Sequence, residues 1–148
     1  MTSNLITDQD SNSVYDRQTV LVTGGSGYVG SWAIVELLKQ GYGVTNVVMR
    51  ATATADELTR EELREGGKRL VRKVRRYRPT FLAVLGLGAY RAAWDQPKAV
   101  IGEQEKRIGE TTVWVLPNPS GLNAHYQAKE LARLFSELRD AVELECLR

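Results

Sequence analysis

Apolar positions along the chain follow two periods, one of strands and one of helices. Residues 19–23 are a short β-branched and apolar run closed by glycines, the pattern of a buried strand. From 28 to 40, Val29, Trp32, Ala33 and Leu37 recur at helical spacing, and Gly41 stands where a helix C-terminus takes a left-handed residue. Residues 44–49 read as a second strand and 50–59 as a polar, Thr- and Ala-rich loop. Thr59 followed by Glu62 is a capping box, and the helix it opens runs to about Tyr77 with Leu63, Gly67, Leu70, Val71 and Val74 on one face. Pro79 marks its end.

Residues 81–85 form a third buried run closed by Gly86, with a short helix around 89–94. Segments 106–108 and 112–116 flank Gly109-Glu110, a hairpin turn, and 112–116 is the last main strand. Leu131, Leu134, Phe135, Leu138 and Val142 mark a final amphipathic helix. Strands alternating with helices imply an α/β fold, a three-layer α/β/α arrangement whose mostly parallel sheet is covered on both faces. Residues 18–148 are expected to form one domain, preceded by a polar, disordered leader over 1–17.

Composition adds few constraints. The 43% hydrophobic and 26% charged residues are ordinary for a globular protein, and no apolar run approaches the length that spans a bilayer. Cys146 is the only cysteine, which excludes an intramolecular disulfide and suits a reducing, cytoplasmic setting for a monomer. The net charge of +2 singles out no partner. Its distribution is more informative, because residues 60–78 hold nine Lys/Arg against three Glu. Arg64, Lys68, Arg72 and Arg75 follow one another at helical steps, which reads either as a nucleic-acid surface or, in preference, as a solvated outer face. Aromatic residues interleaved for base stacking are absent from that stretch.

Two loops carry candidate chemistry. In the first, Gly24, Gly27 and Gly30 are spaced GxxGxxG between a strand and a helix. Such glycines allow a tight turn and a close backbone approach, while the helix N-terminus offers N–H groups to phosphates. Residues 19–42 resemble the opening βα unit of an extended short-chain dehydrogenase/reductase. The resemblance implies weak NAD(P) or phosphate binding through Gly24, Gly25, Ser26, Gly27, Tyr28, Val29 and Gly30, with Arg50 either meeting a 2′-phosphate or standing in solvent. That family's catalysis needs a Tyr with a Lys four residues later, and none of the six tyrosines has one.

The second loop is Val113-Trp114-Val115-Leu116-Pro117-Asn118-Pro119-Ser120-Gly121-Leu122. With residues 44–50 and 61–70 it resembles the mismatch-specific uracil-DNA and thymine-DNA glycosylase family, over about residues 43–142. That resemblance implies four parallel strands in the order 2-1-3-4. It also implies DNA contacts by Asn118, Ser120, Gly121 and Leu122, the last as a wedge in the vacated base stack. His125 reads as a phosphate contact or, in preference, as an exposed residue at a helix start. In the family the loop after the first strand is Gly-Ile-Asn-Pro-Gly, whose Asn positions the attacking water. Here no Asn, Asp or Glu lies between Arg17 and Trp32.

The two resemblances together suggest a chimera, with 18–42 of dehydrogenase type and 43–148 of glycosylase type. The expectation is a recombined, engineered scaffold that is not an enzyme, has no catalytic residue and no metal, and retains dinucleotide or phosphate binding. A weak, salt-sensitive DNA-binding protein is the alternative, and an NAD(P)-dependent oxidoreductase the third reading.

Overall fold

The computed structural model describes residues 20–23, 42–49, 57–119 and 126–147. The expected leader over 1–17 and the expected helix over 28–40 lie outside them. Five strands form one sheet: β1 (Val20–Thr23), β2 (Gly43–Thr45), β3 (Phe81–Leu85), β4 (Gly102–Glu103) and β5 (Thr112–Leu116). Three helices are described: α1 (Arg60–Tyr77), α2 (Leu87–Trp94) and α3 (Ala128–Cys146). The strand order is β2-β1-β3-β5-β4.

The sheet is mixed and small. The pairs β1–β2, β1–β3 and β3–β5 are parallel, whereas β4 runs antiparallel along β5 through Gly102↔Val115 and Glu103↔Trp114. This corrects the expected four-stranded sheet. β4 is two residues long and half-exposed, too short for an alternating pattern to betray it. The hairpin turn does fall at Gly109-Glu110, with Gly109 at φ +64 and a bridge between Ile108 and Thr111. Residues 106 and 107 form no strand, and the antiparallel ladder sits farther back in the chain. β2 is also shorter than expected, ending at Thr45 before a bend at Val47 and Val48.

Alternation along β3 and β5 distributes the core to two faces. Leu82, Val84, Val113 and Val115 pack with Leu70 and Val74 of α1 and Tyr90 of α2. Phe81, Ala83, Trp114 and Leu116 pack on the other side with Leu134 and Leu138 of α3. Among the described residues, then, α1 and α2 cover one face and α3 the other.

α1 starts where its capping box demands. The Glu62 backbone N–H donates to Thr59 Oγ1 at 3.1 Å, and the Thr59 N–H donates to the Glu62 carboxylate at 2.8 Å. It ends on Arg78 in the left-handed region, immediately before Pro79. Midway, Gly66 and Gly67 let two other backbones approach. An ideal Cβ on Gly66 would lie 2.2 Å from the Val47 carbonyl oxygen, and one on Gly67 would lie 2.7 Å from that of Ala93. Gly66→Ala therefore lowers stability by about 1–3 kcal/mol through overpacking. Helix propensity alone predicts a gain of about 1 kcal/mol. Urea unfolding decides between them, and a more stable variant would refute the close approach.

Candidate functional site

Parallel strands gather their following loops at one edge of the sheet, and register shows which residues share it. Thr23 is level with Thr45 and Val84, and Leu85 is level with Leu116. The C-terminal ends of β1, β2, β3 and β5 therefore share one edge, with Asn46, Gly86 and Pro117 directly after three of them. β1 lies between β2 and β3, whose connections leave in opposite directions, which makes this edge the topological switch point where α/β folds bind ligands.

The loop after β5 is stiff. Proline fixes φ at 117 and 119 and restricts Asn118, between them, to extended backbone. Pro117 is buried whereas Asn118 and Pro119 are exposed, so the amide is carried out of a buried strand end on a short rigid arm. The adjoining turn holds that end in place. Gly86, at φ +112, donates its N–H to the Leu116 carbonyl at 2.8 Å and begins α2 through the Tyr90 N–H to Gly86 carbonyl bond of 3.0 Å. Glycine is required there by the positive φ.

α2 adds an element that the sequence did not signal as functional. Its N-terminus has no side-chain cap, so the first turn presents N–H groups and partial positive charge at the sheet edge. Among the described residues a Cβ on Gly88 would meet nothing within 4 Å. On the far side, the Lys73 ammonium donates to Thr45 Oγ1 at 2.8 Å and ties the end of β2 to α1. Residues 46–49, 85–89 and 116–119 carry no charged side chain. The described part of the edge is thus neutral, with amide donors and apolar walls, and contains no carboxylate to repel a phosphodiester. Among the described residues no cluster of His, Cys, Asp and Glu could hold a metal ion, and no helix is long and apolar enough to cross a membrane.

Of the residues expected to contact DNA, Asn118 stands at this edge, and Ser120, Gly121 and Leu122 lie outside the described residues. So do Gly24, Gly25, Ser26, Gly27, Tyr28, Val29, Gly30 and Arg50 of the expected phosphate loop, and His125. The basic residues of α1 are exposed on the outer side of the helical layer, where they border a groove against α2.

The family model of the uracil DNA glycosylase superfamily matches residues 14–141 of the 148. The matched range takes in both 18–42 and the point after 42 where two parents were expected to join. One family thus accounts for both parts, and the dehydrogenase-type unit has no independent support. The same match overturns the expectation of a non-enzymatic scaffold, because membership points to a DNA glycosylase.

Proposed function

The chain belongs to the uracil DNA glycosylase superfamily, and we propose that it excises uracil, or thymine opposite guanine, from duplex DNA. The observation that carries this reading is the family match over nearly the whole chain. The edge geometry suits the chemistry. Excision breaks the bond between C1′ and the base nitrogen, whose electron pair leaves with the base. A water oxygen bonds to C1′ and gives up its proton, and the base is protonated from solvent. Negative charge develops on the base, so fixed N–H donors in a water-poor site accelerate the step.

In this reading Asn118 and Ser120 hold the DNA backbone, Gly121 permits its close approach, and Leu122 fills the stack vacated by the flipped base. The N–H groups at the start of α2 supply positive potential for the departing base. The water is assigned to Ser26. Counting from the end of β1 at Thr23, Gly24 opens the loop as glycine opens the family motif, and Ser26 falls where that motif has Asn. A hydroxyl can orient a water, though with one donor where an amide offers two.

Single-turnover assays with G·U, G·T and A·U duplexes test the proposal. We expect base release from G·U. Asn118→Ala should lower kcat/KM roughly 10- to 100-fold, the cost of one hydrogen bond to a charged group, with little change in melting temperature. No release from G·U by folded protein in excess over DNA would overturn the reading.

A further inference from the structure

The groove between α1 and α2 joins two features that are far apart in sequence. Arg64, Lys68, Arg72 and Arg75 stand above one another on α1, at rises of about 6, 6 and 4.5 Å. They border an open cavity of about 560 Å³, floored by Val71, Ala93 and Trp94. Two of the cations are paired at the surface, Arg64 with Asp95 at 3.2 Å and Lys68 with Glu65 at 2.6 Å. Among the described residues no ion pair holds Arg72 or Arg75. The lining therefore sets four cations against one carboxylate. The Glu65 carboxyl beside it is held below its ordinary pKa, by the Lys68 hydrogen bond first and by nearby arginines in addition.

Trp94 supplies an aromatic surface within the groove itself. Its indole stacks on Tyr90 with ring centroids 5.0 Å apart, and its buried Nε1 has no hydrogen-bond partner. A line of cations above an aromatic floor combines the electrostatic track and the stacking platform of single-strand binding sites. An acidic peptide would use the cations but not the indole. Duplex DNA would use the phosphates but keep its paired bases out of reach.

We propose that this groove is a second nucleic-acid site, separate from the sheet edge, which takes a short single strand of DNA. Phosphates follow Lys68, Arg72 and Arg75, and one base lies against Trp94. The proposal does not rest on base excision, since strand binding and uracil release are read separately.

The test is fluorescence anisotropy with full-length protein and a fluorescein-labelled twelve-residue oligo(dT), titrated at several salt concentrations. Wild-type protein is expected to bind. The double variant Arg72→Gln/Arg75→Gln should bind about tenfold more weakly, with a salt slope shallower by about 1.4, or 0.7 for each lost charge. Its melting temperature and its rate of uracil release from saturated G·U duplex should match wild type. An abasic oligonucleotide of the same length should bind at least about fivefold more weakly than oligo(dT), the loss of one stacked base. The proposal is overturned if wild type does not bind oligo(dT), or if the double variant binds it equally well. Equal affinity for polyglutamate would make the groove an acidic-peptide site. Equal affinity for the abasic strand would remove the base from Trp94.

Discussion

Leu116→Ala is expected to lower the unfolding free energy by about 2–5 kcal/mol, a large fraction of the stability of a domain this size. Leu116 is fully buried at the end of β5, packed among Phe81, Ala83, Leu134 and Leu138. Shortening it leaves a cavity between the sheet and α3 that neighbouring side chains fill only in part. The same residue immediately precedes the Pro117-Asn118-Pro119 arm and accepts the Gly86 N–H. Loss of packing there should therefore also reduce base release at temperatures where the protein remains folded. Leu116→Met keeps the volume and should cost less than about 1.5 kcal/mol. Urea unfolding of both variants measures the difference. A loss below 1 kcal/mol for the alanine variant would mean that α3 closes over the gap.

Ser26→Asn is expected to raise single-turnover base release from G·U by about 10²-fold, the usual scale for one well-placed polar group in a reacting site. The reasoning is positional: Ser26 is three residues beyond Thr23, where β1 ends between β2 and β3. An amide can fix a water through a donor and an acceptor together, which narrows the geometries from which it attacks C1′. Ser26→Ala should lower the rate. If neither substitution changes release while affinity for duplex DNA is constant, the water is held by another group and the assignment to Ser26 fails.

Parts of this fold were legible as local chemistry. Thr59 and Glu62 announce the start of α1 because the capping box is a contact between residues three apart. The apolar runs at 81–85 and 112–116 are legible because both faces of a covered sheet exclude polar residues. β4 was not legible, since its two residues are set by pairing to Val115 and Trp114 across a long connection. Gly66 was missed because its role depends on Val47, which belongs to another element. The groove was hidden for the same reason: α1 showed its cations, but only the fold brings Trp94 under them. The expectation of a non-enzyme rested on the missing Tyr/Lys pair and on the missing Asn of one short loop. The family match spans residues 14–141, far more of the chain than those short motifs.

The Pro117-Asn118-Pro119 arm has a consequence beyond stiffness. Of the three residues that follow β5, two have no backbone N–H, and only Asn118 retains one. Odd-numbered residues of β5 face β4, as the Gln104 N–H bond to the Val113 carbonyl shows. Strand pairing beyond Leu116 thus lacks its donors on the β4 side, while the Asn118 N–H belongs to the β3 side. The antiparallel ladder with β4 therefore cannot lengthen past the sheet edge by alternate N–H donation. A strand laid along β5 beyond that point would meet carbonyl acceptors but no alternate donors, which makes this corner of the sheet a poor template for another strand.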